Sequence, residues 1–441
     1  MAEISSKTST ISTPSRSTTA VLFTTVFLDF LGFSIVLPYL FFFAQSLGAS
    51  QFTYGLLIAS FGLMQFIFVP IMGRLSDRFG RRRILLISLL GSGISFFIFG
   101  LASVLWLLFL ARIVAGIMDS TVSVAQAYVA DLVLDEKNRL RFMGMIGAGI
   151  GLGFTVGPAV GGVLSSTFGY ALPSFVASAL AFSNLVLAYF KLPESKGRMF
   201  VRVKEDAKSR LFDVISPLKS AIANNKLQLL FAVNFIGFMA FTFLDVSLAP
   251  WLQKDFMFGA LQVGLIFFYS SVVNVLTQAF LVPRLAKKYS TLTILTAGIL
   301  SLSLSYLGLG LLASLPLLLV AGGFLTLGFG LISPSISNLI SINSEPENQG
   351  TNLGVGQSLG FLAQAISPVL AASIFSFGLK IDINGLVFVA AAGINSVSLL
   401  LVRLFRNNQA KQIPTPVLPT NLIQSFDRER VSIGNSIEKG P

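Results

Sequence analysis

Twelve apolar runs, each long enough to cross a bilayer as a helix, leave this chain little choice of fold. Crossing the hydrocarbon takes about 20 helical residues. The runs fall at 19–41, 53–74, 83–103, 105–131, 141–165, 169–191, 226–252, 260–283, 291–312, 315–341, 351–377 and 384–405. In lipid every backbone N–H and C=O must find its partner within the protein, so runs of this length specify helices. Hydrophobic residues make up 54% of the 441 and charged residues 11%, and the mean hydropathy is +0.80. That is too little charge to cover a water-facing surface. The expectation is an all-α membrane protein with twelve transmembrane helices and a lipid bilayer as its main solvent.

The runs also repeat. The loop Met72-Gly73-Arg74-Leu75-Ser76-Asp77-Arg78-Phe79 and the loop Val282-Pro283-Arg284-Leu285-Ala286-Lys287-Lys288-Tyr289 lie 210 positions apart, and the same offset sets Gly144 on Gly354 and Pro158 on Pro368. Two equivalent six-helix bundles follow, 19–192 and 226–406, with a cytoplasmic linker at 193–225. The Ser/Thr-rich 1–18 and the Pro/Asn/Gln-rich 407–441 are expected to be unstructured. In a chain built of two equivalent halves, the seam between them is the natural place for a small-molecule ligand.

The net charge of +12 serves topology rather than nucleic acid. Of the 31 Lys and Arg, 28 fall on one side of the alternating spans; Lys254 and Lys380 lie on the other and Arg112 inside a run. This bias places both termini in the cytoplasm. The stretch 19–41 is too long for a signal h-region, carries Asp29 and lacks a small-residue cleavage site. Cysteine and histidine are both absent from the sequence. Thiolate chemistry is excluded, and no metal or cofactor is expected. A proton handled inside the membrane must ride on carboxylates.

Four ionisable residues sit well inside the runs: Asp29, Arg112, Asp119 and Asp245. Each costs a few kcal/mol to insert, which makes each a functional candidate. Arg112 and Asp119 are seven residues apart, so on one helix they share a face roughly 10 Å apart along the axis, and Gln126 extends the stripe. Such a stripe must line a cavity or meet a partner helix, and Asp29 is the expected partner. Burial favours the protonated carboxyl and a nearby guanidinium favours the ionised one. Asp29 and Asp119 are therefore expected to hold a proton or a cationic substrate, with Arg112 tuning them; a static buried ion pair is the alternative. The second half lacks this ladder, since Arg112 maps to Gly322 and Asp119 to Phe329. Asp245 is its mid-membrane acid, accompanied by Asn234, Asn274, Asn338, Gln357 and Gln364. Coupling is thus expected in the first half, and ligand contacts to draw more on aromatic and amide groups of the second. The 42 Phe are assigned mainly to lipid-facing packing.

The fifth run carries Gly149, Gly153, Gly157 and Gly161 on one helical stripe. Small residues let a neighbouring helix come close. Pro158 and Pro368 are expected to bend their spans at equivalent depths. Stripe and bend together suggest a rocking seam; close packing alone is the other reading.

At these residues the chain resembles the major facilitator superfamily, and within it the twelve-span drug/proton antiporters, tetracycline exporters included. The loop Gly73-Arg-Leu-Ser-Asp77-Arg78-Phe-Gly80-Arg81-Arg82 is similar to that superfamily's loop signature, and Leu108 to Gly116, centred on Arg112, to its fourth-span motif. Gly144, Gly153, Gly157, Pro158, Gly161 and Gly162 match the antiporter motif, and Leu28 to Pro38, with Asp29, the acidic first-span motif. The resemblance implies two pseudo-symmetric bundles and proton-coupled efflux of a small amphipathic compound. It also implies a functional monomer in a bacterial inner membrane. A nutrient or metabolite symporter, or a facilitator, stays open within the same superfamily, and a non-transporting receptor outside it. Enzyme signatures are lacking in the sequence. Asp77 is expected to face the start of the eleventh span near Thr351, where helix amides carry partial positive charge. Arg81 is expected to reach Asp131. These contacts would latch the outward-facing state and break when the site protonates, or the charges are orientation signals only.

Overall fold

A computed structural model describes residues 16–133, 136–194, 227–311, 314–345 and 348–412. The expectations for the amino terminus before 16, for most of the linker, and for the tail after 412 lie outside the described residues.

The described residues form helices and no strand, and twelve helices are long and apolar enough to span a membrane. The first six are Thr18–Ser46, Gln51–Phe79, Arg81–Gly100, Leu105–Leu132, Arg141–Phe168 and Ala171–Lys191. The second six are Gln228–Phe256, Ala260–Ala286, Thr291–Leu311, Leu315–Ile342, Gln349–Lys380 and Leu386–Asn408. Several outrun the hydrocarbon, so the polarity of the loops did not mark where the helices stop. Large side chains such as Phe190, Leu304 and Leu311 face outward, as a lipid-covered surface requires.

Two spans are not continuous α-helix. The fourth breaks into Leu105–Met118 and Thr121–Leu132. Asp119 (φ −76°, ψ 80°) is the centre of an inverse γ-turn closed by the Ser120 N–H donating to the Met118 carbonyl at 2.9 Å. The eighth passes through a π-turn at Thr277–Leu281 just before Pro283, where the missing proline N–H loosens the ladder. Pro158 and Pro368 leave their helices continuous.

The two halves meet along the second and eleventh spans and along the fifth and eighth, and the contacts come in twin pairs. A Cβ built on Gly55 would lie 2.7 Å from both the Pro368 carbonyl oxygen and Ala372 Cβ. Its counterpart, Gly264, presses on the Pro158 carbonyl and on Gly162 Cα. One step further in, Gly62 packs on the Gln364 carbonyl, and the Ser271 hydroxyl donates to the Phe154 carbonyl at 3.0 Å. At the outer edge of this end, Gln253 Nε2 donates across the seam to Gln45 Oε1 at 2.9 Å. A single hydrophobic core runs through both halves here, with Tyr39, Phe42, Trp251 and Phe375 among its members.

At the other end the halves part. Gly73, Gly144 and Gly354 have open space where a side chain would stand. A separate core built around Leu85, Tyr128 and Ile146 belongs to the first half alone. The seam is closed at one end and open at the other.

The glycine stripe faces elsewhere than a seam reading expects. Gly149, Gly153, Gly157 and Gly161 pack on Phe23, Phe30, Ser34 and Ile35 of the first span, inside one half. Ser34 Oγ donates to the Gly153 carbonyl at 2.8 Å, which locks the two helices together. Close packing accounts for the stripe. The face that meets the other half is the adjacent one, Pro158 and Gly162.

Candidate functional site: a cavity at the seam

A cavity of about 420 Å³ lies between the halves at mid-depth, within the usual size range of small-molecule pockets. Asp29, Arg112 and Asp119 all stand in its wall, brought from the first and fourth spans. Gln357, Phe361 and Gln364 of the eleventh span and Phe238 of the seventh close the opposite side.

Asp29 is buried, within electrostatic reach of Asp119, and it accepts a hydrogen bond from Ser92 Oγ at 3.3 Å. Asp119 accepts from Gln65 Nε2 at 2.6 Å. The γ-turn aims Asp119 at this point, and Ser120 anchors the turn through a 2.5 Å bond with Ser88 on the third span. Irregular backbone at membrane depth persists where it is buried or lines a cavity, and this turn does the second.

Arg112 does not join the two acids. Among the described residues it forms no ion pair. Its guanidinium lies over the rings of Phe61 (5.3 Å) and Phe99 (5.9 Å), and the ionisable groups acting on it are Tyr54, Asp245 and Tyr39. Seven-residue spacing suggested a single stripe meeting Asp29. The helix breaks at Asp119, so the two acids keep hydrogen-bond partners of their own, Ser92 and Gln65, and the cation lies instead over the Phe61 and Phe99 rings. Gln126, beyond the break, is exposed and outside the cavity wall. Asp245 is half-buried and outside the wall as well, acting on Arg112 and Tyr54 across the seam.

The amides of the second half divide between the cavity wall and helix packing. Gln357 and Gln364 line the cavity. Asn234 instead donates to the Gly356 carbonyl, Asn338 to Thr291, and Asn274 accepts from Gln278. The aromatic wall comes mainly from the first half, with Phe30, Phe33, Phe61, Phe96, Phe99 and Phe154. Lipid-facing assignment of the phenylalanines missed these, and so did the search for ionisable groups miss Gln65 and Ser92. A Gln in an otherwise apolar second run was the one available signal for the former.

At the open end, Arg81 pairs with Asp131 at 2.9 Å and with Asp77. It also donates to Ser76 Oγ at 2.6 Å. Asp77 is 61% exposed and pairs within its own loop; among the described residues it forms no ion pair with the eleventh span. Gly80 takes φ +100°, a conformation that suits glycine, to turn the chain into the third span. Arg82 donates to the Tyr189 carbonyl and Arg78 lies exposed over the Phe79 ring.

A twelve-span protein of two twin bundles around a mid-membrane cavity, open at one end, has the architecture of a secondary transporter. The sequence pattern of the Major Facilitator Superfamily matches residues 22–368 and 230–424, and the chain belongs to that family. It is 32% identical to tetracycline resistance protein, class C, of Escherichia coli over 87% of this chain and 96% of that protein. It is 28% identical to multidrug resistance protein 2 of Bacillus subtilis, over 86% and 94% of the two chains. Among solved structures it is similar to the human organic anion transporter MFSD10 (TM-score 0.68, 24% identity, 88% of this chain and 99% of that one). The chain is a multi-pass integral membrane transporter with drug-resistance proteins among its relatives.

Proposed function

We propose that this protein exports a small amphipathic organic compound in exchange for protons, by alternating access, and carries out no covalent chemistry. The observation that carries the reading is that two carboxylates which act on each other electrostatically, Asp29 and Asp119, both line a seam cavity that opens at one end. Two adjacent acids in a site of low dielectric resist being ionised together. A proton shared between them is released when the site wets or when a ligand claims a carboxylate. Relatives named for tetracycline and multidrug resistance support the direction of transport and the amphipathic cargo.

In this reading the open end is cytoplasmic, which the Lys/Arg bias supports; both termini lie on that side of a bacterial inner membrane, and a monomer suffices. In this state Arg81 holds Asp77 and Asp131. Closure of the cytoplasmic end brings Asp77 to the amino-terminal amides of the eleventh span.

The test is transport in proteoliposomes under an imposed pH gradient, screened over tetracycline, dyes, sugars and amino acids. Gradient-driven movement of an amphipathic compound against its concentration is expected. It is expected to be lost in Asp29→Asn and Asp119→Asn while both proteins remain inserted. Undiminished gradient-driven transport in both variants rules the proposal out, and co-directional movement with protons makes the protein a symporter instead.

A further inference from the structure

Arg112 is only 6% exposed, and its Nε and Nη2 are buried with no hydrogen-bond acceptor. A buried guanidinium left this way is costly, because each unmatched donor forfeits its water and gains nothing in exchange. The aromatic faces of Phe61 and Phe99 recover part of the loss. The ionisable groups around it are Asp245, Tyr54 and Tyr39, and none forms an ion pair or a hydrogen bond with those two nitrogens. On the same wall, Asp29 and Asp119 present the opposite charge. Arg112 and Asp119 are seven residues apart, roughly 10 Å along a helix.

We infer that the cavity takes an amphoteric ligand, whose carboxylate-type group seats on Arg112 Nε and Nη2 while its positive end meets the Asp29–Asp119 pair. The inference rests on the reading of this cavity as the transport site and names the chemistry of its cargo. A bidentate anion is the partner a guanidinium fork fits best. The phenylalanine walls cover the apolar body between the two ends. The bipolar arrangement also explains exchange. Protons and the positive end compete for the same carboxylates, whereas the anionic end gives affinity that proton binding does not cancel.

Rhodamine 110 and its methyl ester rhodamine 123 isolate the anionic group, since the two dyes share the cationic ring system and differ in one carboxylate. Equilibrium binding to the purified full chain in detergent is measured by fluorescence anisotropy and needs no pH gradient. Binding can therefore fail while gradient-driven export holds, and the reverse. The wild-type protein is expected to bind rhodamine 110 about tenfold or more tightly than rhodamine 123. In Arg112→Gln the preference disappears while rhodamine 123 still binds, which also reports that the variant is folded. Equal or tighter binding of the ester by the wild type overturns the inference, and so does a preference that survives in Arg112→Gln. If that variant binds neither dye, Arg112→Lys decides: a retained preference supports the inference and equal affinities for the two dyes overturn it.

Discussion

Gly264→Leu should push the molecule out of the state seen here without unfolding it. Gly264 meets the Pro158 carbonyl and Gly162 Cα across the closed end, and its twin Gly55 leaves 2.7 Å for a Cβ against the Pro368 carbonyl oxygen and Ala372 Cβ. Ordinary contact begins at 3.4 Å, so a side chain at Gly55 demands a separation of roughly 0.7 Å before its remaining atoms are placed. The obstacle is backbone on a packed helix, which cannot swing aside. Overpacking of this kind costs about 1–3 kcal/mol. The penalty exists only while this end is shut, so about 2 kcal/mol shifts the population roughly 30-fold toward the state open there. The chain has no cysteine, so spin labels at Gln45→Cys and Gln253→Cys, which touch across the seam, report the closed end without background. Electron–electron distance measurement should show the short-distance population collapse in Gly264→Leu and in Gly55→Leu. Gly354→Leu, where the parted end offers open space, should keep it. An unchanged distribution in folded Gly264→Leu refutes the assignment of this surface as the moving seam.

Three further outcomes follow. Gly153→Leu places its Cβ 2.8 Å from Leu31 N and Phe30 Cβ inside one bundle; it should lower thermal stability by about 1–3 kcal/mol and leave the Gln45–Gln253 distance distribution unchanged, which distinguishes packing from gating. Asp77→Asn should slow transport with topology intact, and wild-type rates in proteoliposomes remove the latch. Asp131→Asn breaks a half-buried pair with Arg81, and should impair transport no more than Arg81→Gln does; additive losses in the double variant would show that the two act separately.

The spans were legible because lipid enforces one rule on every residue of a run, and the repeat was legible because Pro158 and Pro368 keep one spacing. The helix ends were less so: Gln51–Phe79 carries its helix through Arg74 and Asp77, since nothing in a charged turn forbids helical backbone. The break at Asp119 had no local sign. Met118, Asp119, Ser120 and Thr121 include neither glycine nor proline, and the turn is held by Ser88 from another span. Once the helix breaks, seven-residue spacing no longer fixes a face, which is why Arg112 and Gln126 depart from the expected stripe. Which side of a glycine-rich helix meets which neighbour is likewise a tertiary fact. Periodicity found the stripe on the fifth span, yet only packing shows that it serves the first span while Pro158 and Gly162, one residue round, serve the eighth. Phenylalanine is as welcome in lipid as in a binding cavity, so the aromatic walls left no trace in composition.

The most direct test of proton exchange is the pH inside proteoliposomes, read with a trapped indicator while a transported compound runs down its own gradient. The account predicts proton movement in the opposite direction, abolished in Asp29→Asn and Asp119→Asn. A compound that crosses at full rate while the lumen pH stays flat contradicts it.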